Sequence, residues 1–209
     1  MSGIVAQNVG RPSGLIKAAA GGGGTWVEIK SLTASADSTL SFVDGTSDVV
    51  LDSTYPIYCF RFINIHPETD TVNLQINASS DGGSNYNVTK TTTFFLAYHT
   101  EDDSGTALQY YTNRDLAQST SAQQIVTIGN ANDDSGAGIL YLFNPSSTTF
   151  VKHFISRQQA PTGEATENCK DTYVAGYFNT TSAIDAVQFS MSSGNIDAGK
   201  IKLFGIKDS

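Results

Sequence analysis

The segment TVNLQIN, residues 71–77, constrains the fold more than any other stretch of the chain. Val72, Leu74 and Ile76 alternate with Asn73, Gln75 and Asn77. Successive side chains of a strand point to opposite faces, so this is the pattern of a β-strand with one buried and one solvated side. The SSDGGSNYN that follows contains Asp81-Gly82-Gly83, a turn signal because glycine enters positive φ without steric penalty. The same grammar repeats along the chain. WVEIKSL and TLSFV read as strands separated by a short turn. IYCFRFINI is too apolar for a half-exposed strand and is expected to be covered on both faces, ending at Pro67, which has no donor for the sheet ladder.

Further strands are expected at residues 92–98, 124–128, 139–143, 150–156, 173–177, 184–190 and 200–206, about ten in all, with under about a tenth of residues in helix. Serial short strands without helical crossovers predict an all-β, antiparallel two-sheet sandwich over residues 25–209, with jelly-roll topology the commonest solution at this size and a closed barrel the alternative. In the closing strand, Ile201 and Leu203 are expected to face the core and Lys200 and Lys202 the solvent.

Residues 1–24 differ from the rest. They combine small residues, a run of four glycines at 21–24, and the apolar Ile4, Val5, Val9, Leu15 and Ile16 with the cations Arg11 and Lys17. The glycines read as a hinge. The apolar side chains would be wasted on a free leader, so an extended N-terminal arm that binds a neighbouring subunit is expected, with Ile4, Val5, Val9, Arg11, Leu15, Ile16 and Lys17 as its contacts.

Lys and Arg number 12 against 20 Asp and Glu, a formal charge of −8. That balance argues against nucleic-acid binding, which needs clustered cations to meet phosphates. No run approaches the ~20 apolar residues of a membrane-spanning helix, and no secretory leader is visible. Cys59 and Cys169 lie far apart without CxxC spacing, so neither a zinc site nor a disulfide framework is signalled, and Cys59 is expected as a buried thiol.

Four blocks in order, GIVAQNVGRPSGLIKAAAGGGG, FINIHPETDTVNLQINASSDGGSNYN, LFNPSSTTFVKHFI and SSGNIDAGKIKLFGI, resemble a family of small β-rich structural proteins encoded by tailed bacteriophages, many of them marine. The resemblance implies a virion protein, made in the bacterial host cytoplasm and built into the particle. Its partners would be tail or capsid subunits, and it would serve as a tail-associated, fibre- or adhesin-like component or as a capsid decoration protein. The family's usual label favours the tail. The absence of heptads and of a Gly-X-Y repeat, hence of a fibre shaft, favours decoration. Repeated sites on a symmetric particle imply a homo-oligomer, with a trimer as the natural order.

No GxSxG, HExxH or P-loop is present, and His66, His99 and His153 adjoin no nucleophile motif, so neither catalysis nor a cofactor is expected. The acidic groups Asp44, Asp48 and Asp52, then 101–103, then Asp133 and Asp134 lack the EF-hand pattern and read as solvated loops, without a metal site. Nine tyrosines exceed what a small core needs. Tyr86, in the SNYN loop, and the Tyr110-Tyr111 pair are the candidates for contacting a host surface glycan or receptor, since loop tyrosines stack on sugars and anchor interfaces.

Overall fold

The computed structural model describes residues 25–162 and 167–208. The expected arm and its glycine hinge lie outside the described residues. Twelve strands, and no helix among the described residues, run in the order β1 (Trp26–Thr33), β2 (Thr39–Val43), β3 (Ile57–Pro67), β4 (Val72–Ser79), β5 (Lys90–Thr100), β6 (Thr106–Tyr110), β7 (Gln123–Ile128), β8 (Gly136–Phe143), β9 (Lys152–Thr162), β10 (Asn168–Phe178), β11 (Ala186–Met191) and β12 (Ile196–Ile206). They form two antiparallel sheets. The large sheet has the order β1-β12-β3-β8-β9-β10-β5-β6, and the small one β2-β11-β4-β7.

The core lies between the sheets. Phe42 and Phe189 of the small sheet meet Phe60 and Phe62 of the large one edge to face, with ring centroids 5.1 to 5.3 Å apart for the Phe42–Phe60, Phe60–Phe189 and Phe62–Phe189 pairs. Such aromatic pairs add to the burial of their area. Val72, Leu74 and Ile76 of β4 face inward, as their alternation predicts, and Leu74 is fully buried. Ile201 and Leu203 are likewise buried in β12, which is wedged between β1 and β3. Two backbone devices permit that wedge. Gly199 has φ +111° where β12 bulges against β3, and a β-carbon there would overlap the Asn64 carbonyl. At Gly205 a β-carbon would run into the Tyr55 ring.

The structure departs from the expected strands at three points. β3 is not covered on both sides: Tyr58, Phe60 and Phe62 enter the core, whereas Arg61, Ile63 and Asn64 are exposed. β6 is an extra strand, short and largely exposed, pairing with the end of β5. Phe150 is outside β9, in a turn where its backbone N–H donates to Ser147 Oγ at 3.0 Å.

Two hairpin pairs, β5–β6 and β9–β10, widen the large sheet beyond β8. Their inner side mixes apolar core residues such as Phe94, Phe154, Val174 and Phe178 with buried polar ones. Lys90 donates from Nζ to the Ser121 carbonyl at 2.6 Å, and Lys152 to the carbonyls of Thr180 and Ser182 at 3.1 and 2.5 Å. Thr92 Oγ1 donates to Gln123 Oε1, while Arg114 donates to Thr127 Oγ1, which in turn donates to Asn73 Oδ1. This polar seam fastens β5 and the 111–119 segment to β7. Burial lowers the Lys90 ammonium to about 8.

Candidate functional site

The outer face of the large sheet is the most distinctive surface of the molecule. Seven large hydrophobic side chains are conspicuously exposed among the described residues. Six of them, Trp26, Ile63, Phe95, Leu108, Tyr110 and Ile155, are carried by strands of this sheet on the side away from the core. The register explains why they share a face. Phe204, Cys59, Tyr141, Ile155, Ala175 and Thr93 form one continuous cross-strand row. Lys202, Arg61, Ile139, Arg157, Tyr173, Phe95 and Tyr110 form the next.

Within these rows the aromatic groups are fixed by cations. The Arg61 guanidinium lies 4.5 Å from the Trp26 ring and 5.2 Å from Phe204, and Trp26 meets Tyr141 and Phe204 edge to face. Farther along, Phe95 and Tyr173 stack in parallel at 4.9 Å, and the Arg157 guanidinium covers Tyr173 at 5.1 Å. Arg157 also grips Asp171 through Nε and Nη2, a bidentate pair that lowers the Asp171 carboxyl below its usual range. The Tyr173 hydroxyl donates to the same carboxylate, which raises its own titration.

Beside the second cluster, on the same strands β9, β10 and β5, is a shallow depression of about 440 Å³ lined by Thr91, Thr93, His153, Ile155, Ala175 and Tyr177. It exists because Ala175 is small where its neighbours Ile155 and Tyr177 stand up. Cys59 beneath the face is buried, and its thiol is pushed up to about 11 by desolvation. Cys169 is exposed on the same face.

The three expected tyrosines are not brought together. Tyr86 is half-buried in the loop between β4 and β5, its hydroxyl lying over Gly83 beside Val43 and Ala186 of the small sheet. Tyr110 and Tyr111 are at the end of β6 in the large sheet. Tyr111 packs on Phe94 at 6.1 Å with Arg114 over its ring, so it closes the seam between the sheets. Tyr110 alone of the three is exposed, and its hydroxyl donates to Asp115 at 2.5 Å.

The acidic loops mostly serve their own turns. Asp44 accepts from the Leu51 N–H and Asp52 from the Thr54 N–H. Asp81 accepts from Ser79 Oγ and from the backbone and side chain of Asn85, which draw its carboxyl down to about 2. At one end of the large sheet Glu167 is raised, chiefly by the charge of Asp134 and also by Glu101 and Asp133. Among the described residues no three His, Cys, Asp or Glu side chains are placed to hold a metal ion.

Of the aromatic and cationic residues of the large-sheet face, sequence reasoning singles out Tyr110 alone. The only sequence signal of the others is apolar residues at both parities of a strand, as in KHFISRQQAP, where Phe154 faces inward and Ile155 outward. Comparison of the chain with protein families, with curated proteins and with solved structures finds no match.

Proposed function

We propose that this chain is a non-enzymatic structural protein of a tailed bacteriophage, made in the host cytoplasm and built into the virion as a homo-oligomer. The observation that carries the reading is the outer face of the large sheet, a broad surface in which aromatic rings are held rigid by guanidinium groups. Such a surface suits association rather than chemistry. The four sequence blocks that resemble phage structural proteins supply the particle. The strand order supports a jelly roll: β1-β12-β3-β8 opposite β2-β11-β4-β7 is the arrangement of two interlocked Greek keys, with β5–β6 and β9–β10 as inserted hairpins.

In this reading residues 1–24 attach the protein to a tail subunit, and the domain contacts a host glycan or receptor, with Tyr110 as the open tyrosine. A second placement, decoration of the capsid, is favoured by the lack of heptads and of a Gly-X-Y repeat, hence of a fibre shaft. Reconstruction of purified virions tests both. A few copies at the tail support the adhesin-like role, lattice positions on the shell select decoration, and absence from purified particles overturns the proposal. Tyr110→Ala is expected to weaken adsorption while leaving particles intact. Unchanged adsorption removes Tyr110 from the receptor contact.

A further inference from the structure

We infer that the outer face of the large sheet binds a second copy of this chain, face to face across a two-fold axis near Ile155. The inference rests on the homo-oligomer part of the reading above and names the surface involved. Three observations bear on the occupant.

The first is shape. Ile155 protrudes, half exposed, beside the depression floored by Ala175 and Thr93. A knob next to its own hole is self-complementary under a two-fold rotation, because each copy's Ile155 enters the other's depression. β8 and β9 are the central strands of the sheet order, so the axis falls near the middle of the face.

The second is charge. The chain carries a formal −8, yet among the described residues the carboxylates paired into the cross-strand rows of this face are Glu28 and Asp171, with Asp115 at its β6 edge on the Tyr110 hydroxyl. Glu28 is in an ion pair with Lys202 at 3.0 Å and Asp171 with Arg157 at 2.8 Å. Lys200, Lys202, Arg61 and Arg157 outnumber them. Two copies therefore meet here without opposed free strand carboxylates, and the like cations they oppose are spread across the face, a repulsion that salt screens.

The third is area. Six interstrand steps of about 4.8 Å, from β1 to β5, make the face about 29 Å wide without the β6 edge that carries Tyr110, and four rows spaced two residues apart make it about 20 Å deep. The resulting area of about 600 Å² per copy reaches the lower end of standard stable interfaces, about 600–1,000 Å² per partner.

Sedimentation equilibrium of the full-length protein, at low and high salt, tests the inference. A dimer is expected, and it should tighten as salt screens the repulsion between two −8 bodies. Ile155→Asp and Phe95→Asp, both at exposed positions, should shift it to monomer while leaving the circular dichroism spectrum unchanged. Gln75→Asp, on the opposite sheet, should leave the dimer intact. A monomeric wild type at all concentrations overturns the inference together with the homo-oligomer reading. An oligomer that survives both face variants overturns the inference alone. An oligomer that is lost on deleting residues 1–24 and weakens with salt also overturns it alone, because the basic segment is then the link.

Discussion

The two sheets turn opposite kinds of surface to solvent. Outside the small sheet the rows read Ser41, Gln188 and Asn77, then Thr39, Ser190, Gln75 and Gln124, all polar and uncharged. This is the ordinary solution for an antiparallel sheet with one wet side. Outside the large sheet the same positions hold Phe204, Tyr141, Ile155, Tyr173 and Phe95. Beneath the inserted hairpins the inner side is where Lys90, Lys152, Thr92 and Gln123 are buried. The inserted half therefore buries polar groups beside Phe94, Leu96, Phe154, Val174 and Phe178 and carries apolar groups outside as well. A fold can carry that mixture only if most of the buried polar atoms are bonded, as the seam to β7 provides, and if the outer face acquires a cover.

The comparison breaks if inward and outward positions respond alike to truncation. The largest effects are expected at the inner face: Phe189→Ala should cost about 3–5 kcal/mol and Leu74→Ala about 2–5 kcal/mol in chemical denaturation. A negligible loss at Leu74 would put the β4 alternation on the wrong side.

The seam should reveal itself through pH. Lys90 is lowered to about 8 when folded, from an unfolded value of 10.5. Between those values the unfolded chain binds more protons, so this group makes stability rise with pH across that window. Lys90→Met should abolish its part of the rise, measured as denaturation midpoints at pH 8 and pH 10. An unchanged pH slope would place the ammonium in solvent. A smaller effect is expected on the outer face of the large sheet, where Asp171→Asn should cost at most about 1 kcal/mol, because the side chain of Arg157 is 60% exposed. Smallest of all, Gln75→Ser on the polar face should change stability by under about 0.5 kcal/mol.

The legible parts of the fold were those where one strand face is apolar and the other polar, such as Val72, Leu74 and Ile76 against Asn73, Gln75 and Asn77. IYCFRFINI misled because composition reports how apolar a strand is and not whether anything covers it. Arg61 and Ile63 face outward on an open surface. TALQY was invisible because a five-residue edge strand with no buried face has no period to display. The candidate surface was hidden for a further reason. Ile155, Ala175 and Thr93 become neighbours only through the register of β9, β10 and β5, and nothing local in sequence encodes that register. The tyrosines were legible as a surplus but not as a place, since Tyr111 is committed to the seam and Tyr86 to its own loop.

The position of β12 has a consequence for how the chain acquires its shape. Trp26 of β1 pairs with Ile206, and β12 separates β1 from β3. Until β12 has been synthesised and threaded into place, β1 has no neighbour and β3 keeps a bare flank. Closing that gap joins positions separated by most of the chain, which makes the step slow and leaves two sticky edges open while the ribosome is still at work. The late strand is thus the clasp of the whole sheet, and damage to it should appear first as poor soluble yield and only then as a lower melting temperature.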